Sequence, residues 1–358
     1  MVDMFVKASA TVNRLLTLDY LRGYFVLVII IDHLDRFPSL WAAITGTGRL
    51  WVTAAEGFVM ISGLLVGYVR GRKGMKQPFL AIARKLLSRS LLLYAWTILM
   101  TVVYAYITWY SGIGPLPWFN SPVGDWAYMW HRLITLQMPH VWIHFLALYA
   151  IFLVLAIGAV WLLRNGYDRL LAVLSVLLYI YGFGHHIEWM QWQILFFIPA
   201  IAGFYLDNIR STWQSWSTSR QRGIEIATIF AGALLLVTSV IYIFYPQYVP
   251  YTSEVNGIFS AEPFMPARLL LTIVWFCALI VLFNHITPYL AKYSFGIVEY
   301  FGTHSLTAYI VHGLVLCGVT VLFAKSNDWT INTLLTFGVI LSIFLLIRLP
   351  VIRRIIPR

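Results

Sequence analysis

The 358-residue chain is 60% hydrophobic, 16% aromatic and only 11% charged, with a formal net charge of +11. Soluble domains run near ~45–50% apolar and ~25% charged, so a mean hydropathy of +0.79 excludes a soluble enzyme and a single-anchor protein alike. The basic residues are scattered over short loops, which argues against nucleic acid as a partner and leaves the lipid bilayer as the surroundings.

Apolar runs of the length that crosses ~30 Å of hydrocarbon occur about ten times. They are 16–35, 51–69, 90–109, 142–163, 169–184, 192–206, 224–244, 268–286, 297–323 and 330–348. The expected fold is an all-α, polytopic transmembrane helical bundle, a single integral-membrane domain over 1–358. The N-terminal stretch MVDMFVKASATVNR is too polar for a cleavable signal peptide. Of the Lys and Arg residues, nineteen fall on the side of the N-terminus and five on the other, which predicts both termini in the cytoplasm, N-in/C-in. Cys277 and Cys317 each lie within an apolar run, so no structural disulfide is expected.

The first span, LTLDYLRGYFVLVIIIDHL, carries Arg22 and His33. An ionisable residue at bilayer depth is costly and marks function by default. Eleven residues are about three turns, so both sit on one face about 16 Å apart. His33 is suited to act as general base or acyl-accepting nucleophile, beside Asp32, which points about 100° away on a helix. Glu56 in the second span is the better geometric candidate to orient it, since neighbouring helices pack ~8–10 Å apart.

Residues 74–89 read as a basic amphipathic helix on the cytoplasmic surface. It either anchors the chain to anionic lipid or forms a cationic mouth that collects a phosphate-bearing substrate. The long outward loops, 110–141 and 245–267, are rich in Pro, Trp and Tyr, which suits stacking on a sugar ring or an ordinary interfacial belt. His140 and His144 have chelating i, i+4 spacing, but HVWIH lacks the glutamate of a zinc protease and a third ligand, so no metal is expected. His185 and His186 are read as lining an outward turn. In the ninth span Ser305, Tyr309 and His312 lie at i, i+4 and i+7, a polar stripe that faces protein or water.

The run LDYLRGYFVLVIIIDHL followed by TAAEGFVMISGLLVGYVRGR resembles the start of the OpgC-type glucan succinyltransferases, a branch of the integral-membrane acyltransferase 3 superfamily. The resemblance rests on Arg22-Gly23 eleven residues before His33, on Ile31-Asp32-His33, on Glu56, Phe58, Ser62 and Gly63, on the basic Arg84 and Arg89, and on Ser305, Tyr309 and His312. Where the family tends to place a Pro-Gly turn after the histidine, this chain has Leu34-Asp35-Arg36.

What the resemblance implies is an acyltransferase of the cytoplasmic (inner) membrane. It would move a succinyl or acetyl group from cytoplasmic acyl-CoA, a co-substrate rather than a resident cofactor, to a hydroxyl of an extracytoplasmic glycan acceptor. His33, Glu56 and Asp32 form the expected catalytic group. Arg22, Ser62, Arg84, Arg89, Ser305, Tyr309 and His312 form the expected substrate-binding group, with Ser62 or Tyr309 supporting the oxyanion. The rival expectation is a transporter or flippase for a lipid-linked or small anionic solute, against which stands the absence of an internal repeat.

Overall fold

Long runs of Leu, Ile, Val and aromatic residues satisfy their backbone hydrogen bonds within lipid only as helices. The computed structural model describes residues 16–45, 50–110, 124–137 and 141–356, and it is helical throughout with no strand among them. Helix α1 spans Leu16–Leu34, and α2, Ala54–Leu65, continues as a π-helical segment Val66–Arg72 before α3, Phe79–Tyr110. Next come α4 (Trp126–Ile134), α5 (His144–Arg164), α6 (Asp168–Gly184), α7 (Glu188–Trp192), α8 (Ile194–Phe204) and α9 (Leu206–Ser215). The last part holds α10 (Thr218–Phe244), α11 (Thr252–Ile258), α12 (Pro266–Tyr293), α13 (Ile297–Thr303), α14 (Ser305–Leu322), α15 (Trp329–Leu346) and α16 (Pro350–Ile355).

Six of these, α3, α5, α10, α12, α14 and α15, are long and apolar enough to cross a membrane. A seventh is reached if Glu188–Phe204 and α9, bent by 62° against each other, form one span. The chain is a multi-pass membrane protein. Two of the remaining expected spans differ for a readable reason. Helix α1 carries Asp19, Arg22 and Asp32 within its 19 residues, and α2 reaches only 12 residues before its hydrogen bonding turns π-helical.

Three expected elements take another form. Residues 74–89 are not a separate surface helix: from Phe79 onward they are the start of the 32-residue α3, because nothing after Pro78 breaks the run. The ninth span is interrupted at His304, whose backbone (φ −117°, ψ 31°) separates α13 from α14. The loop 110–141 contains α4, capped where the Asp125 side chain accepts from the Tyr128 N–H at 2.9 Å. Met129 and Leu133 of α4 bury against Ala105 and Trp109 of α3. Residues 111–123 and 138–140 of that loop, His140 among them, lie outside the described residues.

Helices in lipid gain little from hydrophobic contact with one another, so small residues that admit close backbone approach decide the packing. A Cβ at Gly23 of α1 would lie 1.9 Å from the Val298 carbonyl oxygen, and one at Gly302 would lie 1.8 Å from the Asp19 carbonyl oxygen. These two glycines let α1 and α13 cross in backbone contact. Gly63 and Gly67 do the same for α2 and its π-helical continuation against α8, at the carbonyls of Phe196 and Ala200.

The far end of α1 is clamped separately. Asp35 turns the chain at φ 50°, and the buried Arg36 guanidinium donates to the Phe323 and Ala324 carbonyls just beyond α14. The Leu34-Asp35-Arg36 turn thus ties the end of α1 to the end of α14. It sets His33 of the one beside His312 of the other.

Candidate active site

The π-helical segment, the first turns of α3, the N-terminal half of α1 and the start of α14 surround a cavity of about 680 Å³. Its lining includes five cations, Arg22, Arg70, Arg84, Lys85 and Arg89, and no carboxylate among the described residues. Ser62, Ser305 and Tyr309 face the same space. The cations are graded in depth: Arg84 and Lys85 are exposed at the mouth, while Arg70, Arg89 and Arg22 are partly covered. The Arg22 Nε is buried without a hydrogen-bond partner. Six of the seven expected substrate-binding residues therefore share one cavity, contributed by α1, α2, α3 and α14.

The seventh, His312, sits elsewhere. Its Nε2 lies 3.0 Å from His33 Nδ1, and the two rings stack with centroids 5.3 Å apart. His312 Nδ1 contacts the Tyr309 carbonyl oxygen. A carbonyl only accepts, so in the neutral pair the His312 proton is on Nδ1 and its Nε2 is a bare acceptor. His33 Nδ1–H then donates to it. This leaves His33 Nε2 unprotonated, which is the state a general base or nucleophile requires.

His33 belongs to a second cavity of about 520 Å³, lined also by Asp32, His144, Phe145, Glu188, Trp192, Glu262 and Arg268. Both cavities fall within the ~300–1,000 Å³ range of ligand sites. Phe145, near the N-terminus of α5, lines both of them. In the second cavity several polar groups are partnered inside the protein, while the exposed Glu262 adds a carboxylate at its edge. His144 Nε2 meets Glu188 Oε1 at 2.7 Å, and Thr45 donates to Asp32. Arg268 Nε donates to Glu56 Oε1 at 2.5 Å and its other arm reaches the Phe259 carbonyl at 3.2 Å.

The expected pairing of Glu56 with His33 is corrected by this arrangement. Glu56 is fully buried, and its two oxygens are taken by Arg268 and by the Thr53 N–H at 2.5 Å. It is the third residue of α2 and closes a capping box with Thr53, so helix geometry turns it back on its own N-terminus. Its reach toward the cavity runs through Arg268. Asp32 stands in the cavity beside His33 with Thr45 as partner, and does not orient the imidazole. The His185 ring lies 4.2 Å from the Tyr181 ring, tilted by 37°, in the turn that follows α6.

Three contacts of the candidate site escape inspection of the chain: His33–His312, Glu56–Arg268 and His144–Glu188. The first two join residues 279 and 212 positions apart. Helical periodicity assigns a residue to a face but says nothing of the helix opposite. The available signal for Arg268 was a cation just inside the apolar run that begins at Pro266.

The fold and both cavities can now be set beside known proteins. No curated protein and no solved structure matches the chain. The model of the OpgC protein family matches residues 14–352, which hold both cavities and the histidine pair, so this acyltransferase-like, multi-pass membrane protein belongs to the OpgC family.

Proposed function

We propose that the protein transfers an acyl group from acyl-CoA, held in the basic cavity, to a sugar hydroxyl of a glucan bound in the second cavity, with His33 as general base. The observation that carries the reading is the His33–His312–Tyr309 chain of contacts, which presents a bare Nε2 beside a cavity adjoining a second one full of cations. Phosphates of CoA need Arg and Lys, whereas a polyol takes hydrogen bonds from carboxylates, imidazole and an aromatic wall such as Trp192. Asp32 and the His144–Glu188 pair fit the acceptor's hydroxyls. Glu56 acts as a positioning residue that holds Arg268.

The finer features belong to the same proposal. The basic cavity opens to the cytoplasm and the second to the outside, as the Lys/Arg asymmetry favours. Counting α1, the α2 segment, α6 and the bent Glu188–Ser215 pair as crossings brings the spans to about ten, N-in/C-in in the inner membrane, on the plan of the acyltransferase 3 proteins. Succinyl-CoA and acetyl-CoA are the acyl donors to try first.

Purified protein in detergent, given acyl-labelled succinyl- or acetyl-CoA and glucan, should label the glucan with no membrane separating compartments. His33→Ala should lower the rate by ~10²–10⁴-fold while leaving CoA binding intact. A transporter labels nothing in detergent. A His33→Ala protein that keeps more than a tenth of the turnover overturns the base assignment.

A further inference from the structure

Two cavities that open to opposite sides of a membrane and meet inside the protein form one aqueous path unless something divides them. The acyl group must nevertheless cross from one to the other, because His33 lines only the second cavity while the cations line the first. A divider that seals against ions yet admits an acyl arm has to be apolar and thin, since hydrophobic constrictions close a path by shedding its water.

Among the described residues Phe145 alone lines both cavities. Helix α5 fixes where its side chain points. Phe145, Tyr149 and Leu153 stand at i, i+4 and i+8 and all line the basic cavity, so the Phe145 ring belongs to the stripe that faces that space. His144, one position earlier and about 100° around the helix, lines only the second cavity. The Phe145 ring also meets the Trp192 ring, with centroids 5.0 Å apart and planes at 64°, and Trp192 is a wall of the second cavity. One aromatic ring therefore stands between the two spaces.

Its surroundings are fixed on both sides. Trp192 is buried and packs on the buried Phe264 at a centroid distance of 5.0 Å. The Phe264 N–H donates to Gln191 Oε1 at 2.7 Å, and its carbonyl accepts from the Tyr179 hydroxyl at 2.8 Å. Trp142 and Ile143, directly before α5, are buried as well, which anchors the backbone that carries Phe145. Phe145 itself is only partly buried, so its ring is the least enclosed part of this wall.

We propose that the Phe145 ring is the septum between the donor and acceptor cavities: it keeps the bilayer sealed and limits the bulk of the acyl group that can reach His33. The size limit rests on the acyl-transfer reading above, and the seal on the opposite openings of the two cavities. A short acyl group passes beside the ring, whereas a long or branched one is held back. Shrinking the side chain should open the path and relax the limit together.

The test uses Phe145→Ala, Phe145→Leu and Phe145→Trp. Each is placed in vesicles with a trapped pH-sensitive dye, and a pH step is applied outside without acyl-CoA. Wild type and Phe145→Trp should hold the gradient, Phe145→Ala should lose it several-fold faster, and Phe145→Leu should fall between. In detergent with glucan, Phe145→Ala should raise the ratio of octanoyl-CoA to acetyl-CoA kcat/KM by roughly ten-fold or more, the scale on which an apolar pocket discriminates by size. Phe145→Leu keeps most of the apolar bulk and decides the matter if Phe145→Ala does not fold. Vesicles of a folded Phe145→Ala protein that hold the gradient as wild type does overturn the proposal, and so does an unchanged acyl preference in an active variant. A leak that carries the dye out, or that accompanies a fall in Tm, assigns Phe145 to packing and also overturns it. A proton leak in Phe145→Ala when no variant, wild type included, transfers an acyl group keeps the septum and removes the acyl-transfer reading instead.

Discussion

The two cavities are built on opposite electrostatic plans. In the basic one, five cations face the space with no carboxylate among the described lining residues. In the other, Arg268 is consumed by Glu56, His144 by Glu188 and Asp32 by Thr45. Like charges gathered in one space at membrane depth are costly. A protein keeps them where an anionic ligand adds to their neutralisation, and a cavity whose polar groups are mostly partnered suits a ligand read by hydrogen bonds. The difference separates charges that serve a ligand from charges that serve the fold.

The largest effect should come from breaking a pair of the second kind. Glu56→Gln leaves the Arg268 guanidinium, 6% exposed, without its counter-charge, and losing one partner of a buried pair costs about 3–5 kcal/mol. A marked drop in Tm in detergent is expected. Glu56→Gln combined with Arg268→Met should restore much of that Tm, since the second change removes the buried charge that the first leaves unpaired. Arg22→Met in the basic cavity should lower Tm by less, because the Arg22 Nε has no hydrogen-bond partner to lose. Equal Tm losses for Arg22→Met and Glu56→Gln would erase the distinction between the cavities.

The basic cavity was far more legible in the chain than the second one. Arg22, Ser62, Arg84, Arg89, Ser305 and Tyr309 stand out as polar residues where hydropathy allows few, and the fold brings them to one space. The second cavity depends on pairs across helices remote in sequence, and each partner looks unremarkable in its own segment. His312 shows the limit clearly. Its stripe with Ser305 and Tyr309 was visible, yet its side chain turns to His33 rather than into the basic cavity. Breaks in the fold were equally hidden, because hydropathy sums composition and does not sense the backbone change at His304 or the bend between Phe204 and Leu206.

An intermediate effect is expected from the cations themselves. Under the proposed reaction, Arg89→Ala should raise the acyl-CoA KM by roughly ten-fold or more, as a hydrogen bond to a charged group is worth ~1.5–3 kcal/mol. Arg84 is exposed at the mouth, where solvent screening reduces a charge contact to ~0–1 kcal/mol, so Arg84→Ala should raise it only a few-fold. In both, kcat should change less than KM, because phosphate contacts are made equally before and during the reaction. Steady-state kinetics in acyl-CoA at saturating glucan measure this. A reversed order would place the phosphates at the mouth.

The smallest effect is the one that tests both cavities in a single experiment. Ionic strength weakens attraction between charges that water can reach, with a screening length of ~10 Å at 0.1 M and ~3 Å at 1 M. An anionic acyl-CoA entering past Arg84 and Lys85 feels that screening; a neutral glucan entering past Asp32 and the His144–Glu188 pair does not. Raising salt from about 0.1 to 0.5 M should therefore raise the acyl-CoA KM a few-fold and leave the glucan KM within experimental error. The buried Arg268–Glu56 pair is shielded from ions, so stability should not follow the KM. In Arg84→Ala the salt dependence should be blunted, because the most screened cation is already gone. A glucan KM that rises in parallel with the acyl-CoA KM would mean that the second cavity also reads charge, and the contrast between the two would fail at its root.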